Sequence, residues 1–235
     1  MFIIAQFSTC VKWCSRKELN FLFSLTKTVL YHLTTRANSA FINIKMLVDK
    51  NANYGILLSG GIDSAILLAL LIKENPEIKI QPFTISKTDG AALYADPVIN
   101  HINKKFNTSV PATIFVGDPT AHHRAQSTTA VLDIFRNYSV DYLFNGINQN
   151  PPELDKLPGA PLRDKRSTSP RILLPFVNMY KTDILKIMYD NNFTDLIDIT
   201  HSCTEQRIGR CCVCWQCTER AWSFNKINKL DTGTL

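Results

Sequence analysis

The sequence lacks the features that mark several common protein classes. No apolar run approaches the roughly 20 residues that a transmembrane helix needs, so we expect no membrane span. Neither a Walker A loop nor a G-x-G-x-x-G dinucleotide fingerprint occurs. No cysteine lies between Cys14 and Cys203, which argues against a catalytic thiol in the body of the chain.

The remaining composition is that of an ordinary globular protein. Its 235 residues suffice for one α/β domain with a small appendage, and 45% of them are hydrophobic while 20% are charged. The net charge of +6 suits a polyanionic ligand such as a nucleotide. This bias is too small to indicate nucleic-acid binding by itself.

The seven cysteines are arranged as metal ligands rather than as disulfide partners. Their number is odd, and five of them lie within the fifteen residues 203–217. Such crowding makes a poor disulfide framework and a good metal site. A metal site of free thiolates indicates a reducing compartment, so we expect a cytoplasmic protein.

Residues 1–45 differ from the rest of the chain. They are basic and contain a single acidic residue, Glu18. Two interpretations stay open: a transit peptide, of which acid-poor basic segments are typical, or a plain N-terminal extension, which we favour. We predict that an α/β domain follows over 46–200 and a cysteine-containing segment over 201–235.

From residue 46 onward, short apolar runs alternate with helical periods, the pattern of repeated β-α units with parallel strands. The sequence therefore predicts an α/β fold with a doubly wound, Rossmann-like sheet of five parallel strands and a C-terminal zinc-binding tail. Asp96 is expected to cap a helix, because Pro97 follows at a position that suits a first turn. The predicted strands are 54–59, 78–85, 111–116, 141–146 and 172–176, and the predicted helices are 64–73, 96–106, 127–138 and 181–190.

The segment Ser59-Gly-Gly-Ile-Asp-Ser64 connects a buried strand to a helix. Its two glycines allow a tight turn that brings backbone amides close to an anion. The unpaired amides and the dipole of the helix start attract phosphate. Ser59 and Ser64 add hydroxyl donors, and Asp63 can either cap the helix or bind a magnesium ion that bridges phosphates.

This segment resembles the SGGxDS pyrophosphate loop of the ATP pyrophosphatases, the PP-loop enzymes of the adenine nucleotide alpha-hydrolase fold. Members of that family attack the α-phosphorus of ATP with a substrate oxygen and release pyrophosphate. The resemblance implies ATP and Mg²⁺ as ligands and catalytic roles for Ser59, Asp63 and Ser64. Fixed donors would stabilise the charge that develops on the leaving group. The implied cradle comprises Ser59, Gly60, Gly61, Ile62, Asp63 and Ser64.

Four further positions are candidates for the same site. Ligands of open α/β sheets bind at the carboxyl ends of strands, so Phe83 and Thr84 are expected to line an adenine pocket through backbone groups. Gly146 follows the fourth predicted strand, where it either permits a close approach to the nucleotide or forms an ordinary turn. Lys181 resembles the family's phosphate-binding, catalytic lysine, and its alternative is a solvated lysine at a helix start.

The C-terminal cysteines Cys203, Cys211, Cys214 and Cys217 form the pattern C-x7-C-x2-C-x2-C. Four thiolates complete the tetrahedron of a structural zinc, and we expect zinc, with an iron–sulfur cluster as the alternative. Cys212 is expected to be a packed free thiol. Nearby arginines would offset the negative charge of the centre: Arg207, Arg210 and Arg220.

The spacing and position of these cysteines most resemble the tails of the 7-cyano-7-deazaguanine synthases within the PP-loop family. That resemblance implies a small-molecule acceptor, a 7-deazaguanine carboxylate, which is adenylated and converted with ammonia to the nitrile. It also allows a homodimer. The segment 148–170 contains five prolines and does not match the family's acceptor loop. Another acceptor therefore stays open, either a carboxylate awaiting amidation or a tRNA base, as does a nucleotide-binding zinc module without catalysis. The basic run 163–166 either recognises an anion or is a solvated loop.

Overall fold

The computed structural model describes residues 48–86, 90–118, 120, 123–163 and 169–233. The predicted extension over 1–45 lies outside these residues. Among the helices of the described ranges, none combines the length and the apolar character needed to cross a membrane.

Five parallel strands form one sheet in the described part of the chain, in the order β3-β2-β1-β4-β5. This arrangement confirms the predicted α/β fold. The strand order reverses between β1 and β4, and such a switch point opens a ligand crevice at the carboxyl ends of the strands. The strands are β1 Tyr54–Leu57, β2 Ile80–Ile85, β3 Ile114–Val116, β4 Tyr142–Asn145 and β5 Ile172–Leu173.

Helices connect and follow the strands. The first helix, α1, is apolar on nearly all sides, and ten of its thirteen residues are buried. A helix that is apolar all round is typically enclosed in the core. A short 3₁₀ helix, Ala91–Tyr94, leads directly into α2. The helices are α1 Ile62–Glu74, α2 Ala95–Phe106, α3 His123–Asn137, α4 Lys181–Asp190, α5 Leu196–Ile199 and α6 Trp215–Lys226.

Two apolar clusters cover the two faces of the sheet. Alternate residues of β1, Tyr54 and Ile56, belong to the larger cluster with α1, α2 and α4. Leu143 of β4 belongs to the smaller one, against α3. Because side chains along a strand alternate between faces, the single sheet separates the two cores. Helices therefore pack on both faces, as in a doubly wound sheet.

One local prediction, the cap of α2, is wrong. Asp96 does not cap α2, because the preceding 3₁₀ helix runs straight into it and moves the start to Ala95. Asp96 Oδ1 instead accepts a hydrogen bond of 2.9 Å from the backbone N–H of Thr113. The C-terminal segment is more than a cysteine-rich tail, since it contains the twelve-residue α6, whose Phe224 joins the main core.

Candidate functional site

The phosphate-loop segment 59–64 lies at the carboxyl end of β1 and the start of α1. Gly60 has φ = 76°, a left-handed conformation that glycine adopts without strain. Gly61 is the N-cap of α1, without a side-chain cap, so the predicted capping role of Asp63 is wrong. The hydroxyl oxygens of Ser59 and Ser64 lie 3.2 Å apart. The loop thus presents a helix N-terminus and two adjacent hydroxyls at the ligand-binding edge of the sheet.

Gly146 lets the end of β4 approach this loop. A Cβ at Gly146 would lie 3.4 Å from both the Cα and the N of Ser64. The close approach that calls for glycine is thus to the backbone of α1. The predicted contact with a nucleotide remains a prediction, because Gly146 also borders the adjacent cavity.

A cavity of about 450 Å³ opens beside the loop. Thr84 and Phe83 border it, but both side chains are buried and the hydroxyl of Thr84 donates to the carbonyl of Leu58 at 2.7 Å. The carbonyl of Phe83 in turn accepts from the backbone N–H of Leu58 at 2.8 Å. That these two residues line an adenine pocket through their backbone groups remains a prediction. The wall also includes the predicted site residues Ser59, Asp63, Ser64 and Gly146, together with Asn148, Arg163 and Gln216.

A second cavity of about 510 Å³ lies at the opposite edge of the sheet, where Tyr54 and Ile80 begin their strands. Parallel α/β sheets bind ligands at the carboxyl ends of their strands. The cavity beside the phosphate loop is therefore the candidate site, although it is the smaller of the two.

Lys181 is buried at the first position of α4, with a side chain only 5% exposed. Its Nζ donates to Asp63 Oδ2 at 2.8 Å and to Glu219 Oε2 at 3.0 Å. The interpretation of Lys181 as a solvated helix-start lysine is therefore wrong. Lys181 does not line the cavity, but its partner Asp63 does. Its predicted contact with phosphate remains a prediction.

Glu219, on α6, is fully buried and binds two cations. Besides Lys181, it accepts from Arg163 through Nη1 at 2.6 Å and Nη2 at 2.9 Å. The guanidinium of Arg163 also lies 4.8 Å from the ring centroid of Trp215. At Arg163 the solvated-loop interpretation of the basic run is wrong; residues 164–166 lie outside the described residues.

Mutual attraction keeps this cluster ionised. Burial alone would lower the pKa of Lys181, but the carboxylates of Asp63 and Glu219 raise it above its ordinary value. Burial would likewise raise the pKa of Glu219, but Lys181 and Arg163 hold it below its usual range. Lys181 and Glu219 are therefore both stabilised in their charged forms.

The four predicted cysteine ligands meet in space. The sulfur atoms of Cys203, Cys211, Cys214 and Cys217 all lie within 4.8 Å of one another. Backbone N–H groups donate to three of them, for example from Cys214 to Cys211 Sγ at 3.2 Å and from Cys217 to Cys214 Sγ at 3.4 Å. Such donors stabilise thiolates and orient them for a metal.

The thiol pKa values reflect this crowding. Burial would raise the pKa of Cys214, but hydrogen bonds from Thr204 and Cys217 lower it to about 6. Burial and proximity to Cys214 raise the pKa of Cys217. Hydrogen bonds thus favour the thiolate form of Cys214, and a metal cation would favour thiolates at all four positions.

One expectation about the surroundings of this centre is wrong: Cys212 is exposed rather than packed, in a left-handed turn with φ = 60°. Arg210 and Arg220 both bind Asp231, at 2.6 Å and 2.9 Å respectively. They therefore hold the chain after α6 in place. That these arginines offset the charge of the sulfurs remains a prediction.

His201 connects the cysteine-containing segment to the phosphate loop. Its backbone N–H donates to the carbonyl of Gly60 at 3.0 Å. Its imidazole stacks on Tyr94 with ring centroids 4.6 Å apart, and Nε2 lies 2.8 Å from the carbonyl oxygen of Gln206. Sequence reasoning assigned no role to His201, Glu219 or Asn148, since no local pattern indicates that they lie near the phosphate loop.

Comparisons with known proteins agree with the phosphate-loop resemblance over part of the chain. The model of the asparagine synthase family matches residues 43–110, a range that contains the segment 59–64. This match supports the PP-loop superfamily for that part. No curated protein matches the sequence.

Two solved structures are similar at a low level. The U34-tRNA thiolase NcsA from Methanococcus maripaludis, solved with its [4Fe-4S] cluster, has 13% identity and a TM-score of 0.41, with 67% of this chain and 64% of that chain covered. This chain thus spans less than two thirds of the thiolase. NMN synthetase from Francisella tularensis has 14% identity and a TM-score of 0.41, with 67% and 69% covered.

Proposed function

We propose that the protein is an ATP pyrophosphatase that joins AMP to an oxygen of a small acceptor and releases pyrophosphate. The observation that carries the proposal is the strand-loop-helix segment 59–64, which borders a cavity of about 450 Å³ at the switch point of the sheet. That volume falls within the range of small-molecule sites. The match of residues 43–110 to the asparagine synthase family supports the same chemistry.

The phosphate loop supplies the anion site of this proposal. The backbone amides that start α1, with the left-handed turn at Gly60, are suited to bind the β- and γ-phosphates of ATP. The hydroxyls of Ser59 and Ser64 add donors at the same place. Donors fixed before the reaction lower the barrier most where charge develops, which here is on the leaving pyrophosphate.

Asp63 is suited to hold Mg²⁺. Its Oδ2 binds Lys181, while its Oδ1 is buried and has no hydrogen-bond partner within the described residues. An oxygen of this kind fits a hard divalent cation. Bound Mg²⁺ would neutralise phosphate charge, and Asp63 and Lys181 would orient it.

The reaction balances without a nucleophilic side chain. A lone pair of the acceptor oxygen forms a bond to the α-phosphorus of ATP. The bond between that phosphorus and the α,β-bridging oxygen breaks, and its electrons leave with pyrophosphate. Ammonia then attacks the activated carbon and AMP departs. The protein contributes positioning and charge stabilisation.

For the acceptor, we propose a 7-deazaguanine carboxylate. The first adenylation and attack by ammonia would give the amide, and a second adenylation of the amide oxygen would give the nitrile, as in queuosine- and archaeosine-type deazapurine biosynthesis. The C-x7-C-x2-C-x2-C segment supports this acceptor class by its resemblance to the 7-cyano-7-deazaguanine synthases.

For the cysteine centre, we propose zinc. A single ion with Zn–S bonds of about 2.3 Å needs sulfurs roughly 3.8 Å apart, close to the separations within 4.8 Å found here. An iron–sulfur cluster contains several metal atoms and sulfides, so its ligands must stand farther apart. The centre would have a structural role and fix the segment that carries Glu219.

A second candidate is a PP-loop enzyme with another acceptor, either a different carboxylate or a tRNA base. The segment after β4 favours it, since Asn148-Gln-Asn-Pro-Pro152 does not resemble the family's acceptor loop. A nucleotide-binding zinc module would bind ATP without turnover.

The experiment is to incubate zinc-replete protein with Mg-ATP, ammonium and 7-carboxy-7-deazaguanine, and to follow pyrophosphate and the mass of the base. Formation of the nitrile with stoichiometric pyrophosphate supports the proposed function and acceptor. Pyrophosphate release only with other carboxylates or with tRNA supports the second candidate. ATP binding without pyrophosphate release for any acceptor contradicts both.

A further inference from the structure

Four charged side chains form one connected row behind the candidate site. Arg163 binds Glu219 through two hydrogen bonds, Glu219 binds Lys181, and Lys181 binds Asp63. The charges alternate in sign and sum to zero. The row joins the segment after β4, helix α6, helix α4 and the phosphate loop.

Glu219 is the member whose burial calls for an explanation. It is 0% exposed, and it arrives from the cysteine-containing segment rather than from the α/β body. Buried ion pairs contribute little net stability, because desolvation cancels much of their attraction. A hydrophobic side chain would fill the same space at no such cost. The position of its charge relative to Lys181 therefore points to a role in the site.

That role follows from how Lys181 divides its hydrogen bonds. Its ammonium lies nearly equidistant from two carboxylates, 2.8 Å from Asp63 and 3.0 Å from Glu219. Because Glu219 carries part of the counter-charge, Asp63 is not the sole partner of Lys181. One oxygen of Asp63 is left without any partner in the described structure.

We propose that Glu219 is a positioning residue of the nucleotide site, which shares the charge of Lys181 and so leaves the Asp63 carboxylate able to bind a divalent cation. The inference rests on the proposed function, since it takes Asp63 as the cation ligand. It makes the cysteine-containing segment a contributor to cation binding through Glu219.

The charge balance predicts the direction of the effect. In Glu219→Gln the row has a net charge of +1, and Asp63 alone must compensate Lys181. Divalent cations are then repelled and Asp63 is held more tightly by the ammonium, whereas a polyanion without a cation is not disfavoured. Arg163→Gln changes the balance to −1 and predicts the opposite shift in cation affinity.

The test measures Mn²⁺ binding by electron paramagnetic resonance in zinc-replete protein saturated with α,β-methylene ATP, an analogue that cannot release pyrophosphate. We expect Glu219→Gln to weaken Mn²⁺ binding about tenfold, as removal of a nearby unit charge in a partly buried site does. Affinity for the analogue without a divalent cation should be unchanged or higher. Glu219→Asp, which retains the charge, should bind Mn²⁺ within about threefold of wild type.

The matched control is Glu205→Gln, which removes an exposed acid from the same segment and should leave Mn²⁺ binding unchanged. Zinc content and circular dichroism establish that each variant is folded. If Glu219→Gln does not fold, Arg163→Gln decides: tighter Mn²⁺ binding supports the inference, and unchanged or weaker binding overturns it.

Unchanged Mn²⁺ affinity in folded Glu219→Gln overturns the inference, as does an equal loss in Glu205→Gln. These outcomes are separable from those of the proposed function, which concerns turnover of ATP itself. If wild type binds Mn²⁺ with the analogue yet releases no pyrophosphate from ATP, the proposed function fails and the Glu219 test still stands. Absence of Mn²⁺ binding in wild type overturns both.

Discussion

The ammonium of Lys181 lies 2.8 Å from Oδ2 of Asp63, so the start of α4 is tied directly to the phosphate loop. A loop carboxylate that already has a cation on one oxygen cannot rotate freely. Its other oxygen, Oδ1, remains buried without a partner among the described residues. Under the proposed function, the pair would hold a divalent ion at a defined position before the nucleotide binds.

Asp63→Asn should abolish most pyrophosphate release while the fold is retained. The amide keeps the shape of the side chain but removes the charge that holds the divalent ion, and we expect a loss of at least about 100-fold. Initial rates with Mg-ATP and acceptor measure it. Asp190→Asn, which changes an exposed aspartate at the end of α4, is the control and should retain wild-type rates. Retained turnover in Asp63→Asn would refute the assignment of the loop.

Gly60→Ala should impair nucleotide binding beyond its effect on stability. An L-residue at φ = 76° costs about 1–2 kcal/mol, and relief of that strain would distort the loop. Gly117→Ala is the matched control, because Gly117 has φ = 81° but lies outside the phosphate-loop segment 59–64. Both variants should lose similar unfolding free energy in urea. Only Gly60→Ala should lose ATP affinity in calorimetry, and equal affinities would contradict the predicted cradle.

Cys214→Ser should lose the metal and destabilise the protein, because structural zinc binding is part of the folding free energy. We expect at least a 10 °C fall, roughly, in melting temperature. Cys212→Ser is the control, since Cys212 is exposed and lies outside the group of four sulfurs. Metal analysis and thermal melting should separate the two variants clearly. Normal metal content in Cys214→Ser would remove the ligand assignment.

Asp231→Asn should destabilise the fold by about 3 kcal/mol, because it leaves the buried guanidinium of Arg220 and the partly buried one of Arg210 without their carboxylate partner. Burial alone would raise the pKa of Asp231, but Arg220 and Arg210 hold it below its ordinary value of 3.8. A lowered folded-state pKa means that the stabilisation is complete above the ordinary value and is lost as pH falls through the folded one.

Urea unfolding of wild type and Asp231→Asn as a function of pH measures this contribution. The difference in unfolding free energy should be constant from neutral pH down to about pH 5 and should shrink only below about pH 4. Asp198→Asn serves as control, since Asp198 is exposed and only accepts from the hydroxyl of Thr232 at 2.7 Å. A difference that shrinks already near neutral pH would contradict the ion-pair account.

Local chemistry made part of this structure predictable from sequence. The turn at Gly60 and the meeting of Cys211, Cys214 and Cys217 depend on neighbours a few residues away, so spacing alone indicated them. The alternation of short apolar runs with helical segments likewise predicted the parallel sheet. Strands that are buried on both faces of a sheet consist of continuous apolar residues.

Long-range placement was not predictable in this way. Glu219 lies in α6, a helix that the sequence did not predict because the segment was interpreted as a cysteine-rich tail. No residue near Glu219 in the sequence indicates Lys181 as its partner. Arg163 looked like part of a solvated basic run, yet tertiary packing against Trp215 and Glu219 buries most of its side chain. Such pairs form because the fold brings distant segments together, which local sequence patterns do not encode.

The measurement that tests the account most directly is phosphorus NMR of the products formed from Mg-ATP by zinc-replete protein with 7-carboxy-7-deazaguanine and ammonium. Cleavage at the α-phosphorus predicts AMP and pyrophosphate in equal amounts, with no ADP. Formation of ADP and inorganic phosphate, or no nucleotide consumption with this or any other acceptor, would contradict the proposal that this loop binds pyrophosphate as a leaving group.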